Sequence, residues 1–278
     1  MQILNTAKEI KDYTSKLRLK TLKIGFIPTM GALHSGHISL IHASMRENDV
    51  TICSVFVNPT QFNEPADFQK YPRQVESDLR MLEAAGCDAA FTPHVNQIYP
   101  VPDTNIYDLG EVALKLEGKQ RPGHFNGVAS VVKRFLELVQ PHNAYFGLKD
   151  YQQFLVIKKL TEKYSLDVNI VGCPIVREDS GLAKSSRNQL LSANGKEIAT
   201  DIYKSLELVK NAALKHDVKE LAQIGLTYLE SKEGIDPEYF VVVDALSLDT
   251  PVDGEENGLI ALVAAWVDGV RLIDNMLL

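Results

Sequence analysis

The chain is 278 residues long, about 45% apolar and 23% charged. That is ordinary for a folded globular protein and long enough for one large domain or two modest ones. Its formal charge of -7 has the wrong sign for a general binder of nucleic-acid backbones, so any anion site has to be local. The N-terminal stretch MQILNTAKEIKDY holds no uninterrupted apolar core, and the run LIALVAAWV is too short for a bilayer. Neither a secretory signal nor a membrane span is therefore expected. Cys53, Cys87 and Cys173 are far apart, form no CxxC pair and sit in apolar, strand-like surroundings. They read as buried, reduced thiols of a cytoplasmic protein.

In chain order, NTAKEIKDYTSKLR reads as an amphipathic helix and LKIGFIP as a buried strand ended by Pro28. GHISLIHASMREN places Ile38, Leu40, Ile41 and Met45 at helical spacing. VTICSVFVNP is a second strand, VESDLRMLEAAGC a helix with Gly86 at its C-terminal side, and DAAFTP a third strand. The alternation resumes with FNGVASVVKRFLELVQP, NAYFG, DYQQFLVIKKLTEKY and DVNIVGCP. Strand–helix alternation of this kind is that of a parallel sheet with crossover helices. Residues 1–175 are thus expected to form a doubly wound, Rossmann-like α/β domain. Beyond them, GKEIATDIYKSLELVKNAALK and VKELAQIGLTYLESK read as helices, the second capped by Asp217 with Glu220. EYFVVVDA, GLIALVAAWV and VRLIDNML then read as strands. A smaller α+β domain is expected over residues 176–278.

Where the first long strand meets its helix stands PTMGALHSGH. Ligands of open α/β sheets lie beyond the carboxyl ends of the strands. Met30 to Gly36 can set backbone N–H groups and a helix N-terminus against a phosphate. Gly31 and Gly36 permit close approach of the backbone. The imidazoles of His34 and His37 can donate to phosphoryl oxygens, neutral or charged. On this stretch alone, zinc binding and ordinary capping histidines are the alternatives. Zinc needs a third ligand, and no Cys, His or Glu cluster stands nearby. Neither a G-x-G-x-x-G run nor a Walker A lysine is present.

HSGH after a first strand resembles the HxGH signature of the nucleotidyltransferase superfamily. The stretches IPTMGALHSGH, VFVNPTQF, YPR, RPGHFNGVASVV, FGLKDYQQ and GLAKSSRN, in this order, resemble the pantothenate synthetase (pantoate–β-alanine ligase) family. The resemblance spans nearly the whole chain and thins toward the C-terminus. It implies a two-step reaction: ATP and pantoate give pantoyl adenylate and pyrophosphate, and β-alanine then displaces AMP.

By that resemblance, the ATP loop is Met30, Gly31, Ala32, Leu33, His34, Ser35, Gly36 and His37, with His37 at the position labelled proton donor. Gly147, Leu148, Lys149 and Asp150 form a second ATP segment in which Lys149 reaches the phosphates. Val176 gives a backbone contact to adenine. Lys184, Ser185, Ser186 and Arg187 match the loop that closes over the triphosphate. Without the resemblance, Lys149 reads equally as a solvated lysine and KSSRN as a polar linker. Gln61 and Gln153 are implied to hold pantoate, with Gln61 also meeting β-alanine; a glutamine amide donates and accepts, which suits a hydroxyl. Two departures stand out: Leu148 replaces a common Glu, and Lys184 a common Met or Leu. Mg2+ is implied by ATP chemistry, with Asp78 as a candidate protein ligand. Arg121 matches a basic position near the site. A homodimer is implied, with no nucleic-acid or membrane partner. An adenylyltransferase acting on a phosphate ester, and a non-catalytic nucleotide sensor, are the competing readings.

Overall fold

The computed structural model describes residues 1–62, 68–69, 71–251 and 258–278. It divides into two units: Met1–Leu148 with Gln152–Pro174, and Lys149–Tyr151 with Ile175–Leu278. The strands of the first unit are Gln2–Leu4 (β1), Ile24–Thr29 (β2), Val50–Val55 (β3), Ala89–Phe91 (β4), Asn143–Gly147 (β5) and Asn169–Cys173 (β6). They make one sheet in the order β1-β4-β3-β2-β5-β6, parallel at every pairing. β2 and β3 are buried along nearly their whole length, as strands covered on both faces must be. The long helices are Ala7–Leu19 (α1), Ser35–Glu47 (α2), Val75–Ala84 (α3), His124–Val139 (α4) and Tyr151–Lys163 (α5).

Alternation of side chains along β2 divides the core in two. Ile27 joins Leu33, Leu40, Ile41, Leu82 and Tyr145 in one buried cluster. Its neighbour Phe26 joins Phe56 and Phe91 around Phe135 of α4, with ring centroids 5.7, 5.9 and 6.0 Å from that ring. Truncating Phe135 would cost about 3–5 kcal/mol by cavity formation. The cysteines are buried. Burial raises all three thiols, Cys87 to about 12, and they take no part in the chemistry below.

The doubly wound architecture is as the alternation predicts, with two differences in detail. β1 has no counterpart in the sequence reading: three residues are too short for any periodicity to register, and pairing with β4 alone defines them. Pro28 does not end β2 but lies inside it, opposite Ser54. The carbonyl of Thr29 accepts from the N–H of Phe56 on the β3 side, so residue 28 faces the other edge. There, pairing of β2 with β5 has already stopped at Phe26 and Ala144. A missing N–H costs nothing at that place. The two strands part where strand order reverses, which is the ligand position of open α/β sheets.

In the second unit, Thr200–Ala212 (α6) and Val218–Glu230 (α7) precede Asp236–Asp244 (β7), Leu259–Val267 (β8) and Val270–Leu277 (β9). The strands form an antiparallel sheet, β7-β8-β9. Ile202, Leu206, Val209, Leu221 and Leu229 of the helices pack with Phe240, Val263 and Val267 of the strands. Asp217 accepts from the N–H groups of Lys219 and Glu220 and completes a capping box with Glu220, as its spacing predicts. The single helix expected from residue 195 is instead two, Ala193–Ile198 and Thr200–Ala212. No helix among the described residues is long and apolar enough to cross a membrane.

Candidate active site

The residues that follow β2 are tied largely to themselves. His34 is the N-cap of α2: its Nδ1 accepts from the N–H of Gly36 at 3.1 Å, and the Nδ1 of His37 accepts from the N–H of His34 at 3.3 Å. An amide nitrogen can only donate, so both rings present Nδ1 as acceptor and carry their proton on Nε2. The rings lie 4.1 Å apart, tilted by 45°. Burial, and then the neighbouring His34, hold His37 down at about 3. His37 is thus a neutral imidazole at physiological pH, able to hydrogen-bond through Nε2–H but not to deliver a proton as a charged acid. The role offered by this geometry to the position labelled proton donor is a hydrogen bond from Nε2–H.

Asp78 supports the same loop from behind. Its Oδ2 accepts from the N–H of Ala32 at 3.0 Å and its Oδ1 from the N–H of Leu33 at 2.8 Å. Gly31 donates to Thr29 Oγ1. Of the N–H groups expected to cradle a phosphate, those of Gly31, Ala32, Leu33, His34 and Gly36 are therefore engaged within the protein. Gly31 and Ala32 both have positive φ, 79° and 49°. A Cβ at position 31 would lie 2.8 Å from Asp78 Oδ2, so glycine there serves the carboxylate contact. The side chains of Ala32 and Leu33 are buried, Leu33 within the core cluster, while Ser35 is exposed. Burial raises the pKa of Asp78 against the opposing effect of the two N–H bonds. Both oxygens of the expected Mg2+ ligand already accept hydrogen bonds. Among the described residues no group of three His, Cys, Asp or Glu side chains is placed to hold a metal.

Gln61 follows β3 in the short helical turn Pro59–Gln61 and is buried. Its amide is oriented by Asn58, which the sequence reading passed over. Asn58 Oδ1 accepts from Tyr99 OH and from Thr60 Oγ1, both at 3.0 Å. That leaves Asn58 Nδ2 to donate to Gly127 O at 3.0 Å and to Gln61 Oε1 at 3.1 Å. Gln61 Nε2 then faces Met30 Sδ at 2.9 Å, and a thioether is a weak acceptor. Gly127 permits the approach: a Cβ there would stand 2.2 Å from Thr60 O. On the other side, Arg121 Nη1 lies 3.1 Å from His124 Nε2. A guanidinium only donates, so His124 carries its proton on Nδ1 and gives it to Gln61 O at 2.8 Å. Arg121, undefined in the sequence reading, here fixes the tautomer that anchors Gln61. The signal available beforehand was the Asn-Pro-x-Gln spacing, which brings Asn58 within one turn of Gln61.

The two glutamines of DYQQF divide their roles. Gln152 Oε1 accepts from Glu117 N, and its Nε2 donates to Val112 O and Lys115 O; it clamps a loop. Gln153 is half-buried and makes no side-chain hydrogen bond among the described residues. Gly147 ends β5 with open space where a Cβ would be, and Leu148 Cδ2 packs over Gly172. Leu148 is an apolar packing residue here.

The second unit carries the remaining expected groups. Lys149 is half-buried and Asp150 exposed, in the turn Leu148–Asp150. Residues 177–183 form a tight hairpin closed by the bridge between Arg177 and Ala183. Glu178 N donates to Leu182 O, and Lys184 N donates to Val176 O, which occupies the carbonyl of Val176. Ser185 caps the helical turn Ser186–Leu190 by accepting from the N–H of Arg187. Lys184 Nζ lies 2.8 Å from Glu178 Oε2. The cation that departs from the family's pattern is thus paired across its own hairpin.

The family model described as pantoate-beta-alanine ligase matches residues 2–277. A pantothenate synthetase of Cytophaga hutchinsonii is 43% identical over 99% of this chain and 98% of its own. One from Bacteroides fragilis is 42% identical over 99% and 98%. Among solved structures, pantothenate synthetase from Thermus thermophilus superposes with a TM-score of 0.91 at 38% identity, covering 99% of each chain. The pantoate-beta-alanine ligase of Francisella tularensis, crystallised with beta-gamma ATP and beta-alanine, gives 0.81 at 39% identity over 100% of this chain and 97% of its own.

Proposed function

The chain belongs to the pantoate–β-alanine ligase family, and from that premise we propose how its own residues carry the reaction. The enzyme joins pantoate to β-alanine with cleavage of ATP to AMP and pyrophosphate, through a pantoyl adenylate. The observation that carries this reading is the pair of imidazoles at the start of α2. In both, Nδ1 is occupied by a backbone N–H, so Nε2–H is the edge each ring would turn to phosphate oxygens.

Attack by pantoate's carboxylate on the α-phosphorus expels pyrophosphate. Such a displacement is accelerated by alignment and by donors placed where charge accumulates. We assign that task to His34 and His37 with Lys149, Ser185, Ser186 and Arg187. Met30 to His37, Gly147 to Asp150, Val176 and Lys184 complete the ATP contacts. Most N–H groups of the Met30–His37 loop are spent on Thr29, Asp78 and the histidines. The loop's contribution is therefore a rigid frame for two imidazoles rather than a nest of free amides. Mg2+ bound with ATP would neutralise phosphate charge; Asp78, whose two oxygens accept from Ala32 and Leu33, is committed to the loop instead.

Gln61 and Gln153 receive pantoate. Gln61 Nε2 exchanges the weak sulfur acceptor of Met30 for an oxygen of the substrate, a gain available without reorienting the amide. After pyrophosphate leaves, the amine of β-alanine attacks the acyl carbon; the C–N bond forms as the bond to the adenylate oxygen breaks, AMP departs and the amine loses its proton. We place the enzyme in the cytoplasm as a homodimer, which gel filtration at about twice the chain mass would support. The functional test is AMP release by the purified protein. AMP and pantothenate should form in equal amounts only when ATP, pantoate and β-alanine are all present. Turnover independent of either acid would refute it.

A further inference from the structure

Two adjacent residues of β9, neither of them implied by any motif, hold two segments of the second unit that carry candidate phosphate-binding cations. Asp274 and Asn275 are both buried, at 4% and 5% exposure. Asp274 binds the guanidinium of Arg177 with both oxygens, Oδ2 to Nη1 at 2.6 Å and Oδ1 to Nη2 at 3.0 Å. Arg177 opens the hairpin that leads into Lys184–Arg187. It also donates to Gly181 O at 3.1 Å and stacks on Tyr203, with Cζ 4.4 Å from the ring centroid. A half-buried arginine held bidentate by a buried carboxylate and stacked on a ring has one geometry. The root of the hairpin is therefore fixed to β9.

Asn275 faces the other way along the same strand. Its Nδ2 donates to the carbonyl of Lys149 at 2.9 Å, and its own N–H donates to Asp274 Oδ1 at 2.8 Å. The backbone of Lys149 is thus tied to the strand that holds the hairpin, one residue away. A strand is a stiff spacer, and successive side chains on opposite faces are set by its pleat.

We propose that Asp274 and Asn275 are positioning residues that set the distance between Lys149 and the Lys184–Arg187 loop. This rests on the assignment of both elements to the triphosphate made above. Both elements act where pyrophosphate departs, so an error in their spacing should fall on adenylate formation. The β-alanine step begins after pyrophosphate has gone. A fold defect would depress both steps alike, which separates positioning from general support.

The test compares the wild-type protein with Asp274→Asn, Asn275→Ala and a control, Glu238→Gln. Glu238 makes a similar half-shielded pair with Arg271 on the same sheet. Two rates are measured for each: pantoate-dependent ATP–pyrophosphate exchange, and single turnover of preformed pantoyl adenylate with β-alanine. Misplacement by about 1 Å is worth up to about 100-fold in rate. Exchange is expected to fall about 10- to 100-fold in the two β9 variants, with adenylate turnover within about threefold of wild type and the control unchanged in both. Asn275→Ala keeps the Arg177–Asp274 pair, so it decides the matter even where Asp274→Asn fails to fold. Unchanged exchange in folded Asn275→Ala, or equal loss of both rates, overturns the proposal. Absence of pantoate-dependent exchange in the wild type overturns the functional reading itself and this inference with it.

Discussion

The carboxylate of Asp78 stands 2.8 Å from the amide nitrogen of Leu33, forty-five residues earlier in the chain, and also accepts from Ala32. One side chain from the first turn of α3 thereby fixes the left-handed corner through which β2 enters α2. Asp78→Ala removes the carboxylate that accepts from the N–H groups of Ala32 and Leu33; losing the partner of one buried donor costs about 1–3 kcal/mol. A lower unfolding midpoint in urea is expected, together with a higher KM for ATP, because the frame of His34 and His37 loosens. Wild-type values for both would show that the loop holds its shape without Asp78.

His37 gives the protein an acid-side liability. Its folded-state value of about 3 lies below its ordinary value near 6.5. The unfolded chain therefore takes up a proton first as pH falls. The stability held by neutral His37 is complete above about pH 6.5 and is lost progressively toward pH 3. His37→Gln should flatten the fall in unfolding free energy between pH 7 and pH 5. An identical pH slope in the variant would place the imidazole in an ordinary solvated setting.

Gln61 and Asn58 make a directional pair. Gln61→Ala removes the donor offered to pantoate and should lower kcat/KM for pantoate about 10- to 100-fold, in line with hydrogen bonds to charged groups at about 1.5–3 kcal/mol. Asn58→Asp removes the Nδ2 donor and so frees the glutamine amide to invert. It should raise the KM for pantoate while the KM for ATP stays put. Equal change in both constants would indicate a general collapse of the Pro59–Gln61 turn.

Lys184 and Glu178 allow a test by opposite signs. The pair is half-exposed, and such pairs contribute about 0–1 kcal/mol to folding. If Lys184 meets ATP, Glu178 competes for it. Lys184→Met should then raise the KM for ATP a few-fold, roughly two to five, and Glu178→Gln should lower it, with kcat steady in both. Movement in the same direction would assign the pair to the hairpin alone.

The fold was legible because β2 and β3 are largely apolar runs of six residues and the helix between them carries apolar residues at helical spacing. β1 is hidden because three residues carry none. Pro28 misleads because an X-Pro stop is a rule about neighbours on both edges, one of which β2 lacks at that point. Of the expected site, motif residues such as His34, His37 and Gln61 could be named from local spacing. Their states could not. The tautomers of His34, His37 and His124 depend on which nitrogen meets a backbone N–H, a backbone carbonyl or a guanidinium. Asp78 shows in the sequence only as a candidate metal ligand or a surface helix residue, because its hydrogen-bond partners lie more than forty residues away. Asp274 and Asn275 stand in an ordinary strand, VRLIDNML, and nothing local distinguishes them.

The most direct test of the central claim is pantoate-dependent exchange of labelled pyrophosphate into ATP, measured without β-alanine on wild type and on folded His37→Ala. A pantoyl-adenylate enzyme whose phosphate donor is His37 exchanges label in the wild type only when pantoate is present, and loses about 10²- to 10³-fold of that rate in the variant, as when one preorganised donor is removed. Exchange that proceeds without pantoate, or that His37→Ala leaves intact, would contradict it.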